Sequence, residues 1–377
     1  MDRDMRLSML KGRATTEATA AYASRFRNLP GNFRSVLGLS ISSVGIGTYL
    51  GESDTETDGA YEDSIAAAVS GGINLIDTAV NYRFQRSERN IGAAIAKLVE
   101  SGSIRREEII VATKGGYLTF EGAVPADPRA WFEEKFVRTG IVSAGDMVEG
   151  SHCMTPRYLD AMIEMSRANL GLETIDVYYL HNPETQLGVL DRKTFLARIR
   201  AALEFLEKAV GENRIAVYGT ATWNGYRAKQ TERGWLSVDE LIAVAREVGG
   251  DAHHFRAIQL PYNLAMPEAV TLSNQGPLND KTTLVGAAKG HGLLICASAS
   301  LLQGRLSRDL PAILSDAFPG LSSDAQRAAQ FVRSTPGIDV ALIGMKSRTH
   351  VDDALALMAH PPAPRDALMK LFSPSQP

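Results

Sequence analysis

Eight short apolar runs rich in valine and isoleucine recur along the chain, at residues 41–49, 73–79, 108–114, 175–181, 215–222, 255–262, 293–300 and 340–346. Most are near-continuous instead of alternating, the pattern of parallel strands covered on both faces. Segments of helical period lie between them, at 61–70, 87–100, onward from Thr155-Pro156, then 194–210, 237–248, 280–290, 322–333 and 349–358. Gly71-Gly72 reads as a helix stop, Ser87 as a helix cap, and Thr155-Pro156 as a cap followed by a first-turn proline. Eight such units predict an α/β fold, a (β/α)₈ TIM barrel. A doubly wound sheet would need a phosphate loop after its first strand. The run Gly45-Ile46-Gly47-Thr48-Tyr49-Leu50-Gly51 lacks the G-x-G-x-x-G spacing.

Two segments depart from the repeat. Residues 29–40 read as a short hairpin plugging the barrel floor. Residues 117–154 form a long loop after strand 3, whose Trp131, Phe132 and Phe136 favour an ordered cover over the barrel mouth. Trp131, Phe132 and Asn182 are the expected lining there. Residues 1–28 read as an N-terminal arm, whose residues 14–27 form either a loose amphipathic helix or a disordered stretch, and 29–377 as a single barrel domain. Arg3, Arg6, Lys11 and Arg13 precede no continuous apolar stretch, which argues against a secretory signal, and scattered Asp2, Asp4 and Glu17 argue against a transit peptide.

Composition narrows the function. Lysine and arginine number 40 against 43 aspartates and glutamates, a net charge of −3 without a basic block, so no nucleic-acid footprint is present. No apolar run approaches a membrane span. Two cysteines, Cys153 and Cys296, make no disulfide framework, and a reducing, cytoplasmic setting is the default. Cys296, inside a strand, reads as core. His152-Cys153 has no metal-ligand spacing around it, so no metal site is expected.

Catalytic groups in such barrels project from the C-terminal ends of strands. Here an aspartate, a lysine and a histidine close three successive buried runs: Asp77, followed by Tyr82; Lys114; and His181. Ionisable groups at such positions are seldom buried unless paired. Taken singly, each has a plainer reading. Asp77 serves equally well as a structural partner or helix cap, Lys114 as a Schiff-base or phosphate-binding lysine, His181 as a hydrogen-bonded structural histidine, and Tyr82 as a half-buried aromatic.

The stretch Asn74-Leu75-Ile76-Asp77-Thr78-Ala79-Val80-Asn81-Tyr82, followed by Arg86-Ser87-Glu88-Arg89-Asn90-Ile91-Gly92, resembles the aldo-keto reductases. The resemblance spans about residues 33–360 and includes Gly45-Ile46-Gly47-Thr48, Asn169-Leu170-Gly171-Leu172 and Ile175-Asp176-Val177-Tyr178-Tyr179. It implies a catalytic tetrad of Asp77, Tyr82, Lys114 and His181, with NADP as cofactor. In the implied chemistry a hydride reaches a carbonyl carbon while Tyr82 supplies the proton. Lys114 lowers the tyrosine pKa from its usual value near 10, Asp77 keeps Lys114 charged, and His181 orients the carbonyl.

The same resemblance assigns cofactor contacts to Gly47, Thr48, Thr222, Gln259, Ser298, Leu301, Gly304, Lys346, Ser347, Arg348 and Asp353. Gln259 falls at the carboxamide-binding glutamine. Ala221-Thr222 replaces a serine–asparagine pair, and Ser298 stands where a tyrosine stacks on the nicotinamide, a contact Trp223 is placed to replace. Lys346, Ser347 and Arg348, opening a helix, suit a 2′-phosphate. The expected substrate is a small aldehyde, ketone or sugar-like carbonyl, with no nucleic-acid or membrane partner. Two other classes share these residues: an NADP-binding regulatory subunit with little turnover, and a lysine-dependent aldolase.

Overall fold

The computed structural model describes residues 9–372. Arg3 and Arg6, within residues 1–8, therefore lie outside the described residues, as do residues 373–377. Eight parallel strands close on themselves: β3 (Val44–Gly47), β4 (Leu75–Asp77), β5 (Ile110–Gly115), β6 (Ile175–His181), β7 (Ile215–Ala221), β8 (Phe255–Pro261), β9 (Leu294–Ser298) and β10 (Val340–Gly344). β10 pairs with β3, so the barrel has no edge. In front of it an antiparallel hairpin, β1 (Phe33–Val36) and β2 (Leu39–Ser42), plugs the floor. Ile41, expected to begin the first barrel strand, belongs to the hairpin instead. Its side chain packs with Leu75, Ile110, Val177, Leu294 and Val340 in the barrel interior. Cys296 lies in that same layer, as core.

Each strand is followed by a helix whose apolar face covers the sheet. The helices are capped largely by short polar residues, although Thr155, read from the sequence as a cap, stands at the N-cap position before Pro156 without a side-chain cap hydrogen bond. Asp54, Asp191, Ser237, Thr283, Ser323 and Ser347 each accept from a backbone N–H in the first turn of the next helix. Ser87 does not cap. The Arg86–Glu100 helix begins from left-handed Gln85, and the Ser87 hydroxyl donates to the Thr48 carbonyl (2.8 Å), tying the helix to the end of β3. The helix expected over 280–290 starts only at Leu284, because residues 275–282 are committed to a Gln275–Thr282 bridge.

Of the two readings for the arm, the structure has the helix, Thr16–Ser24. Tyr22 is buried against the barrel helices, and Leu10 and Ala14 are bonded to Gly171 and Asp176. The 117–154 loop is ordered by a small core of its own, in which Trp131 and Phe132 pack with Phe136, Val142, Tyr158 and Met162. Those two aromatics therefore hold the loop together and do not line the barrel mouth. No helix among the described residues is long and apolar enough to cross a membrane.

Candidate active site

At the C-terminal end of the barrel, Asp77 of β4 pairs in register with Ala112 of β5. Two residues on, and so on the same face, stands Lys114. Its Nζ donates to Asp77 Oδ2 (2.6 Å) and to the Thr78 carbonyl (2.7 Å), while the Gln259 amide donates to Asp77 Oδ1 (2.7 Å). Both charged side chains are almost wholly buried. Burial works against the ammonium, but the charge of Asp77 and the neighbouring Tyr82 outweigh it and hold Lys114 above the usual lysine value.

Tyr82 sits on no strand. It opens a turn in which three successive side-chain-bearing residues, Arg83, Phe84 and Gln85, adopt left-handed φ angles of 48°, 54° and 74°. Each such residue costs about 1–2 kcal/mol, so the turn must be held from outside. Arg83, buried, donates to the Glu52 carbonyl (2.7 Å), to Asn90 (2.9 Å) and to Asp58 (2.7 Å), and Gln85 donates to the Phe120 carbonyl (2.8 Å). The result lays the phenol over the lysine, with Lys114 Nζ 4.9 Å from the ring centre. Burial pushes the Tyr82 pKa above its ordinary value, although Lys114 pulls it down. The expected net lowering is thus reversed, because desolvation of the phenolate exceeds the attraction of a lysine already committed to Asp77. Tyr82 is a neutral phenol, a proton donor.

His181 ends β6 with its ring 6.0 Å from that of Tyr82. Burial, then the Lys114 charge, puts its pKa well below the ordinary histidine value, so the imidazole is neutral and has one N–H to give. His152, expected near the mouth, is buried behind it. Arg198 can only donate, and it takes the Gln186 carbonyl oxygen (2.6 Å), which turns the Gln186 amide nitrogen to His152 Nδ1 (2.9 Å). Nδ1 therefore accepts, and Nε2–H donates to the His181 carbonyl (2.7 Å). Gly116, at φ 155°, leaves the room for this: a Cβ there would come within 2.7 Å of the His181 oxygen and 3.0 Å of His152 Nε2.

A cavity of about 710 Å³ opens over these groups and runs to the end of β10. Asp77, Tyr82 and His181 line one end, while Lys114 lies beneath. Gly47, Thr48, Thr222, Ser298, Leu301 and Gly304 line the middle, and Lys346, His350 and Asp353 the far end. Gln259 does not reach the cavity; it spends its amide on Asp77. Ser347 caps the Arg348–Met358 helix, and Arg348 is exposed and paired with Asp352 (2.8 Å), outside the lining. Asp353 accepts from Ser323 (3.0 Å) and Gln326 (2.8 Å). Tyr49, Tyr117 and His350 line the cavity too, and the sequence reading passed over them. Tyr49 and Tyr117 follow glycine-bearing strand ends, which was the available signal.

Three buried polar atoms in this lining have no protein partner: Asn81 Oδ1, His181 Nδ1 and Thr222 Oγ1. Buried orphans of this kind call for a polar ligand. Their donor and acceptor chemistry, the cavity size and the cation at its far end fit a dinucleotide with a phosphate-bearing end. The proton-donor end can protonate an oxygen that gains charge. Among the described residues no group of three or more histidine, cysteine or acidic side chains is placed to hold a metal ion.

The family model described as aldo/keto reductase matches residues 43–240, just over half of the chain. NADH-specific methylglyoxal reductase of Escherichia coli (strain K12) is 26% identical over 188 residues, 48% of this chain and 49% of that protein. D-threo-aldose 1-dehydrogenase of a Pseudomonas species is 28% identical over 181 residues, 46% of this chain and 50% of that protein. The matched stretch thus spans about half the length of these curated relatives. An aldo/keto reductase from Klebsiella pneumoniae, solved with NADP and acetate, superposes with a TM-score of 0.61 at 18% identity, covering 92% of this chain and 97% of that one. At that identity the likeness is one of fold.

Proposed function

The chain belongs to the aldo/keto reductase family, and from that premise we propose that it reduces an aldehyde, ketone or sugar-like carbonyl to the alcohol with NADP(H), Tyr82 acting as general acid. The observation that carries this reading is the buried Lys114, held by Asp77 and the Thr78 carbonyl directly under a neutral phenol that faces the cavity. A bound nicotinamide would supply the hydride to the carbonyl carbon. The chain's own residues do the rest.

His181, neutral, donates its N–H to the carbonyl oxygen and fixes its direction. As negative charge builds on that oxygen, the Tyr82 hydroxyl transfers its proton to it. The phenolate left behind is stabilised by the Lys114 ammonium, which Asp77 keeps charged and immobile. Alcohol oxidation runs through the same groups in reverse, with the phenolate accepting the proton. Thr222, whose hydroxyl lacks a protein partner, and Asn81 would hold the nicotinamide amide. Lys346 and the N-terminus of the Arg348–Met358 helix would hold the adenosine 2′-phosphate.

The choice of NADP over NAD rests on Lys346, which lines the cavity without an acidic partner among the described residues. The test is a Trp223 fluorescence titration with NADPH and NADH, followed by an aldehyde panel. NADPH binding at least tenfold tighter than NADH, lost in Lys346→Met, supports the assignment. Equal binding of the two in wild type would overturn the NADP preference, and binding without turnover would overturn the reductase reading.

A further inference from the structure

Glu184 stands three residues beyond His181, in the short helical turn Pro183–Gly188 that follows β6, and is only 9% exposed. Its Oε1 accepts from three successive backbone N–H groups in the turn that leaves β7: those of Trp223 (2.8 Å), Asn224 (2.9 Å) and Gly225 (3.1 Å). Its Oε2 is buried and has no partner among the described residues. Burial pushes the carboxyl pKa above the ordinary carboxylate range, against the pull of the N–H groups. The proton-transfer chemistry makes no use of this acid.

A buried carboxyl oxygen left unpaired is costly, and an apolar side chain of similar size would fill the place without that cost. The gain lies in what the three bonds hold. Trp223 and Asn224 present exposed side chains, so packing does little to fix this part of the turn. Gly225 lets the backbone lie directly on the acid: a Cβ there would stand 3.3 Å from Glu184 Cβ. Trp223 lines the main cavity, and so does Thr222 before it, with its orphaned hydroxyl. The peptide that joins these two residues carries the first of the three N–H groups, so Glu184 sets its direction. From the same strand end the Asn182 N–H donates to the Ala221 carbonyl (2.6 Å), which ties the ends of β6 and β7 a second time.

We infer that Glu184 is a positioning residue for the nicotinamide end of the cofactor, fastening the turn that bears Thr222 and Trp223 to the strand end that bears His181. This rests on the reductase reading and adds to it a residue that touches neither substrate nor cofactor. Because Oε1 makes all three bonds, the clamp needs one acceptor oxygen and not a charge. Glutamine keeps that oxygen in place. Aspartate is one methylene short of it, and methionine lacks it. The adenosine end, at Lys346, lies at the far end of the cavity and is independent of the clamp.

The experiment is calorimetric titration of the full chain with NADPH against 2′-phospho-ADP-ribose, and with NADH against ADP-ribose, so that each pair differs only by the nicotinamide. Wild type is compared with Glu184→Gln, Glu184→Asp and Glu184→Met. For the dinucleotide that wild type binds more tightly, Kd should rise at least fivefold in Glu184→Met and at least threefold in Glu184→Asp. The matching ADP-ribose should stay within twofold in both. Glu184→Gln should bind both ligands within twofold of wild type, a rescue that a role for the charge would not give. If Glu184→Met does not fold, Glu184→Asp carries the same test. Equal weakening of both ligands, an unchanged dinucleotide affinity in Glu184→Asp and Glu184→Met, or a loss in Glu184→Gln as large as in Glu184→Met would overturn the clamp alone. A wild type that binds none of the four ligands would instead bring down the reductase reading beneath it.

Discussion

His152 makes the energetics behind the site measurable without any substrate. It is 1% exposed and neutral, its pKa pushed down to about 4 by burial, with the charge of Arg198 adding to the effect and the His181 carbonyl opposing it. In the unfolded chain a histidine titrates near 6.5. The unfolded state therefore binds more protons between those two values, and stability falls as pH drops from 6.5 towards 4. Above pH 6.5 the penalty is absent. A gap of about 2.5 units at about 1.4 kcal/mol each gives roughly 3 kcal/mol lost across the window from this one group.

His152→Gln removes the titration while keeping an amide donor near the His181 carbonyl. It leaves Gln186 without its Nδ1 acceptor, a loss of about 1–2 kcal/mol. Urea denaturation at a series of pH values, wild type minus variant, isolates the group because all other titrations cancel. Wild type should be the more stable by about 1–2 kcal/mol at pH 7.5 and the less stable by a similar amount at pH 4. A difference that does not change with pH would refute the buried, neutral assignment and the hydrogen-bond chain from Arg198 through Gln186.

The other expectations follow from the same geometry. Asp77→Asn leaves Lys114 buried without its counter-charge and should cost about 3–5 kcal/mol in chemical denaturation. It should also lower the pH at which Lys114 loses its proton. Arg83→Met removes the bonds that hold three left-handed residues in place. It should reduce kcat for any carbonyl by tenfold or more with little change in cofactor affinity, because the turn aims Tyr82 and touches nothing at the far end of the cavity.

How much of this was legible in the sequence depends on which forces act locally. The eight strands appear as apolar runs because both faces of each are buried, and all eight lie where those runs predicted. Asp77, Lys114 and His181 were readable as ionisable residues closing such runs. The structure brings them and Tyr82 together at one end of a cavity. Boundaries set by distant partners were not readable: Ser87 is drawn to the Thr48 carbonyl and does not cap its helix. Ile41 looked like barrel strand, since an apolar residue plugging the floor and one lining the barrel have the same local signature.

The site's departures have the same origin. Gln259 turns to Asp77, 182 residues away in the chain, a choice no local pattern announces. Arg348 prefers Asp352 one helical turn on, a pairing its i, i+4 spacing did announce. The upward shift of Tyr82 depends on how deeply the ring is buried, and burial of a residue on a loop has no periodicity to reveal it. The three consecutive left-handed residues after it carry no glycine, so nothing in the sequence marks the turn.

Tyr82→Phe tests the central claim most directly. The substitution removes one oxygen and keeps the ring packing against Tyr49 and over Lys114. Single-turnover reduction of an aldehyde by NADPH, alongside a Trp223 fluorescence titration of the same variant, reads chemistry and binding separately. The account predicts a hydride-transfer rate down by at least a hundredfold, the range of a lost general acid, with NADPH affinity within threefold of wild type. A variant that still reduces aldehydes at near wild-type rate would contradict it.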